Sequence, residues 1–142
     1  MGLVLDDRLR ERLRQVRAAQ LRDLRYWQAA EDLLVDDEVV CARCGLGNAS
    51  FVGLDGRVLF WNFGDGHPPE ELTDPASVAC VVGWLAEAGV PELLDALPPM
   101  PPGGRPCRSC RGRRWARRAA GAGPGSLRRV CGRCYGQGWT PA

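Results

Sequence analysis

Cys107-Arg-Ser-Cys110-Arg-Gly112-Arg-Arg-Trp115 and Cys131-Gly-Arg-Cys134-Tyr-Gly136-Gln-Gly138-Trp139 are two copies of one phrase, C-x-x-C-x-G-x-x-W, offset by 24 residues at every matched position. Two cysteine pairs separated by roughly twenty residues have the spacing of a zinc site. Two thiolates three positions apart on a tight turn grip one edge of a Zn2+ tetrahedron, and the second turn supplies the opposite edge. The glycine after each pair lets the backbone take positive φ and curl its N–H groups towards the sulfurs. The predicted ligands are therefore Cys107, Cys110, Cys131 and Cys134, and the predicted cofactor is Zn2+.

Between the copies lies a Gly/Pro-rich run, Ala116-Arg-Arg-Ala-Ala-Gly-Ala-Gly-Pro-Gly-Ser126, which is expected to form the tip of a β-hairpin pinned at its base by the metal. A module of about forty residues seldom sustains a core of its own, so the metal would supply its folding energy. Trp115 and Trp139 would stack near the site and shield it. Upstream, Pro98-Pro-Met-Pro-Pro-Gly-Gly-Arg-Pro106 has the composition of a linker, polyproline-like at its start and flexible at its Gly-Gly.

That linker coincides with a change of charge. The 142-residue chain carries a net charge of only +2, yet all 17 acids lie before residue 96, while the ten arginines after it face no acid at all. Every basic side chain other than the single histidine is arginine. The basic C-terminal module is expected to meet an acidic partner or a nucleic acid, or to fold against the acidic first part of its own chain.

The front of the chain has a different texture. Residues 5–34 carry Leu5, Leu9, Leu13, Val16, Leu24, Trp27 and Leu34 at three- and four-residue steps, interrupted by Gln20, which predicts one long amphipathic helix. Such a stripe serves either a domain core or a partner. Glu38-Val-Val-Cys41-Ala-Arg-Cys44-Gly45 then turns extended and brings a third C-x-x-C, so Cys41 and Cys44 are candidate additional ligands. His67 and Cys80 are the only further residues that could complete a second site there, one in a Gly/Pro-rich loop and the other on an apolar helix. Two short apolar runs around Asp55-Gly56 predict a hairpin. Asp74-Pro75 opens a helix expected to run to about Ala88 and stop at Gly89, and a shorter helix follows over 91–97.

The fold class read from these signals is α+β. A helix, hairpin and helix domain spans 1–97, a Pro/Gly linker 98–106, and a small zinc-stabilised β-hairpin module 107–142. Cysteine pairs in a chain whose first residues resemble no secretory leader predict reduced thiols and a cytoplasmic location. No run of eighteen uncharged apolar residues exists, so no membrane span is predicted.

Cys131-Gly-Arg-Cys134-Tyr-Gly136-Gln-Gly138 satisfies C-x-x-C-x-G-x-G and resembles the cysteine-rich zinc domain of DnaJ-type co-chaperones. The first copy matches at Cys107, Cys110 and Gly112 but has Arg114 where the second glycine belongs. The likeness covers residues 107–139 only, and the family's four repeats and two zincs are reduced here to two repeats, implying one zinc. No His-Pro-Asp signature of a J-domain accompanies it. The resemblance implies a metal-stabilised surface for protein contact. More faintly, the strands and helix over 51–97 resemble half of the SUKH immunity fold.

Two function classes follow. One is a non-enzymatic zinc module that binds protein. The other is a module that binds RNA or single-stranded DNA, with Arg113, Arg114, Trp115, Arg117, Arg118, Arg128, Arg129, Tyr135 and Trp139 as binding residues, because arginines interleaved with aromatics make stacking platforms. No enzyme is expected. The chain has one histidine and no nucleophile or phosphate-loop motif, no small-molecule substrate is evident, and a zinc held by four thiolates has no open position.

Overall fold

Helix α1 (Asp7–Arg22) is the first element of a computed structural model that describes residues 2–23, 31–117 and 128–141. Asp6 caps it by accepting the Leu9 N–H at 2.8 Å, satisfying one of the donors a helix start leaves open. Leu9, Leu13 and Gln20 form its buried face. At Asp23 the backbone leaves the helical region (φ −131°, ψ 58°), and helix α2 (Glu31–Asp36) starts separately. The single helix expected over 5–34 is therefore corrected to two described segments. Leu24 and Trp27, counted on its stripe, lie outside the described residues. Leu9 and Leu13 belong to one apolar cluster, Leu33 and Leu34 to another. Leu21, in the last turn of α1, already packs against the second of these.

Those clusters sit on opposite faces of a four-stranded antiparallel sheet in the order β1-β2-β3-β4, built from β1 (Val39–Cys44), β2 (Ala49–Gly53), β3 (Val58–Trp61) and β4 (Glu70–Glu71). The Asp-Gly hairpin is present: Gly53 N–H donates to the Arg57 carbonyl at 2.7 Å across a turn in which Gly56 has φ 91°. Register aligns Val40, Val52 and Val58 in one cross-strand row and Cys41, Phe51 and Leu59 in the next. Side chains alternate across a pleated sheet, so the first row meets the main core and the second a smaller cluster with Leu33 and Leu34.

Helix α3 (Pro75–Glu87) closes the main core with Val78, Val81, Val82 and Leu85, and a 3₁₀ helix (Pro91–Ala96) adds Leu93 and Leu94. Asp74 caps α3 by accepting from Ser77 N–H at 3.0 Å, with Pro75 at the first turn, as the sequence predicts. The Pro/Gly stretch then ends in β5 (Arg105–Pro106), which pairs antiparallel with β6 (Trp139–Thr140). Of the hairpin expected between the cysteine pairs, the described residues show one bridge, Trp115 to Val130, and its tip from residue 118 onward lies outside them. Trp115 and Val130 also pack against the main core. The architecture is α+β, with a small antiparallel sheet and a cysteine cluster near its C-terminal end. No helix among the described residues is long and apolar enough to cross a membrane.

Candidate metal centre

Cys107, Cys110, Cys131 and Cys134 are all buried, and their sulfurs lie within 4.8 Å of one another. The cross-copy edges are 3.8 Å for Cys107–Cys131 and 3.7 Å for Cys110–Cys134. A tetrahedron with Zn–S bonds of about 2.3 Å has sulfur–sulfur edges of about 3.8 Å, so the four thiols stand where ligands of such an ion would stand. A disulfide would need about 2.05 Å. The donor set and its size therefore fit a tetrahedral, thiolate-preferring metal.

The two copies are related as halves of a pseudo-two-fold. Cys107 N–H donates to the Gly138 carbonyl at 3.0 Å, and Cys131 N–H donates to the Arg114 carbonyl at 2.9 Å; residues 114 and 138 are themselves one repeat apart. The pairing Pro106–Trp139 is mirrored by Val130–Trp115 under the same offset. Backbone conformation repeats too. φ is 54° at both Arg111 and Tyr135, 83° and 86° at Gly112 and Gly136, and 73° and 86° at Arg114 and Gly138. Of these left-handed residues, Gly138 directs its N–H to the Cys134 sulfur at 3.3 Å, and Arg111 donates its N–H to the Cys107 carbonyl at 2.7 Å. Arg114, the departure from the glycine pattern, keeps the glycine's conformation.

Electrostatics follow from this packing. Burial raises the Cys134 thiol to about 12, whereas at Cys107 burial is outweighed by the N–H groups of Cys110 and Ser109 and by Cys131 and Cys134, which bring it down to about 7.

The remaining predicted site residues are distributed as follows. Cys41 and Cys44 are not brought into the four-sulfur group. Cys41 stands in the row with Phe51 and Leu59, and burial first of all pushes its thiol up to about 12. Arg114 Nη1 donates to the Leu94 carbonyl at 2.8 Å and pairs with Asp95 at 3.0 Å. Arg129 pairs with Glu87 at 3.4 Å. Arg113 is exposed, with Nε donating to the Cys110 carbonyl at 3.0 Å. Arg128 lies 4.3 Å over the half-buried Trp115 ring. Arg117 and Tyr135 are exposed, Trp139 is buried, and Arg118 lies outside the described residues. Gly83, which sequence reasoning passed over, is where α3 meets the module: a Cβ there would stand 3.2 Å from Val130 Cγ2 and 3.5 Å from the Tyr135 carbonyl oxygen. A glycine inside an otherwise good helix, unfavourable by about 1 kcal/mol against alanine, was the available signal.

No family model, curated protein or solved structure matches this chain, so the likenesses to the DnaJ-type zinc domain and to the SUKH fold rest on the residues quoted above.

Proposed function

We propose that the chain is a non-enzymatic zinc protein, in which one structural Zn2+ on Cys107, Cys110, Cys131 and Cys134 fixes a two-knuckle module that binds a macromolecular partner. The observation that carries this reading is the pair of 3.8 and 3.7 Å sulfur–sulfur edges in a fully buried four-cysteine cluster. With four protein thiolates the ion has no position left for water or substrate, which supports a structural role over a catalytic one. Among the described residues no second group of three or more histidines, cysteines and acids gathers in this way. A cytoplasm that keeps thiols reduced is the compartment such a centre needs.

The resemblance to the DnaJ-type zinc domain supports protein contact. The test of the metal reading is native mass spectrometry of the purified chain and of a Cys131→Ser/Cys134→Ser variant. One zinc per chain, lost in the variant, is expected. Two zincs would add a site at Cys41 and Cys44, and disulfides in place of metal would overturn the proposal.

A further inference from the structure

We propose that the outward-facing copy of the repeat, through Arg108, Arg111 and Arg113, binds the phosphates of single-stranded nucleic acid. This rests on the reading of a metal-fixed module and adds a nucleic-acid partner to the protein contact proposed for it. The two copies share their cysteines, first glycine and tryptophan but differ in what they carry between them. Arg108, Arg111 and Arg113 occupy the positions of Gly132, Tyr135 and Gln137. Burial explains the division. In the second copy residues 136–138 are buried, with Gly136 set against Leu94 of the 3₁₀ helix, whereas residues 111–113 of the first are exposed. The second copy docks on the front of the chain, as do Arg114 and Trp115 at the end of the first, while Arg108, Arg111 and Arg113 face solvent.

The acids sort in the same sense. Every acidic side chain of the chain lies before residue 96, and among the described residues of the C-terminal segment only Arg114 and Arg129 reach one, through Asp95 and Glu87. Both pairs lie at the junction with the front of the chain. Among the described residues, Arg108, Arg111 and Arg113 have no acidic partner. Folding the basic segment on its own acidic front therefore accounts for two arginines and leaves the outward set. The metal centre does not account for it either. Zn2+ with four thiolates carries about two negative charges, fewer than the three outward arginines, to which Arg117, Arg128 and Arg133 add.

The chemistry around these arginines favours nucleic acid over an acidic peptide. The guanidinium fork matches phosphate oxygens in pairs. The same module carries two flat surfaces, the Trp115–Arg128 stack at 4.3 Å and Tyr135, 43% exposed, on which a base can stack. Stacking requires bases that are not already paired. Among the described residues the module has no helix to enter a major groove.

The test is fluorescence anisotropy of the zinc-loaded full chain with a labelled oligothymidylate of about twenty nucleotides, as a function of salt. Wild type is expected to bind at low salt and to weaken as salt rises. An Arg108→Gln/Arg111→Gln/Arg113→Gln variant with the same zinc content is expected to weaken binding at least about tenfold and to flatten the log–log salt slope by about 2, since each lost phosphate contact on a single strand removes about 0.7. A zinc-loaded wild type that leaves the oligonucleotide unbound, or a triple variant with an unchanged slope, overturns this proposal and leaves the metal reading intact. Polyglutamate of equal charge binding as tightly as the oligonucleotide overturns it in favour of an acidic protein. A chain that binds the oligonucleotide but holds no zinc supports it while removing the metal reading beneath.

Discussion

Gln20 and Cys41 are joined by two hydrogen bonds: the Gln20 amide oxygen accepts the Cys41 N–H at 2.9 Å, and its Nε2 donates to the Cys41 carbonyl at 2.9 Å. β1 lies at the edge of the sheet, and its register with β2 shifts between Cys41 and Arg43. A helix side chain thus takes the place of a neighbouring strand and covers an edge that would otherwise invite another chain. Gln20→Met should destabilise the fold by about 2–4 kcal/mol, because both Cys41 backbone groups would be buried without partners. Urea unfolding measures it. A loss below about 0.5 kcal/mol would mean that these groups are satisfied elsewhere.

At Arg114 two effects oppose each other. Its φ of 73° is unfavourable for any side chain with a Cβ by about 1 kcal/mol, while its guanidinium ties the module to Leu94 and Asp95. Arg114→Ala loses the tie and keeps the strain; Arg114→Gly loses the tie and relieves it. The glycine variant should be the more stable of the two by about 1 kcal/mol, and equal stabilities would mean the backbone there is not left-handed.

Gly112 and Gly136 share a left-handed φ but not their surroundings. A Cβ on Gly112 meets nothing nearer than the Gly138 carbonyl oxygen at 4.0 Å, whereas one on Gly136 falls 2.9 Å from Leu94 Cδ2. Gly112→Ala should cost about 1 kcal/mol and leave the docking unchanged. Gly136→Ala should cost more and expose the junction, seen as faster amide exchange in the 3₁₀ helix. Matched losses for the two variants would argue against docking through the second copy.

Cys41 gives the alkaline limb of stability a definite sign. Its thiol is raised from 9.0 to about 12, by burial first and the neighbouring Cys44 second. Below the unfolded value both states keep the proton and nothing changes. Between the two values the unfolded chain ionises and the folded chain does not, so stability falls as pH rises, by at most about 1.4 kcal/mol per unit. Cys41→Val should flatten that limb in denaturant titrations at alkaline pH. A limb of unchanged slope would place the ionisation elsewhere.

How much of this was legible in the residues depended on whether a local pattern had one structural meaning. The repeated C-x-x-C-x-G-x-x-W has such a meaning, and the four sulfurs converge as its spacing requires. Asp55-Gly56 likewise marks its hairpin. C-x-x-C-G at Cys41 is ambiguous, since a strand bulged by one residue and a metal knuckle share the same letters, and only the row Cys41–Phe51–Leu59 distinguishes them. Gln20 reads as a flaw in an apolar stripe until the strand edge it serves is known. The break after Arg22 carries no glycine or proline, so no local signal marks it. β4 was invisible because Glu70 and Glu71 pair at the backbone while both side chains stay exposed.

The pseudo-two-fold described above also nests one closure inside another. Trp115 meets Val130 within the span that Pro106 and Trp139 later seal. Closing a short loop loses less chain entropy than closing a long one, so the inner bridge is the cheaper first encounter, and it draws the cysteine pairs towards each other from the inside. The cost of closure therefore rises outward, like the teeth of a zip, from Trp115–Val130 to Pro106–Trp139.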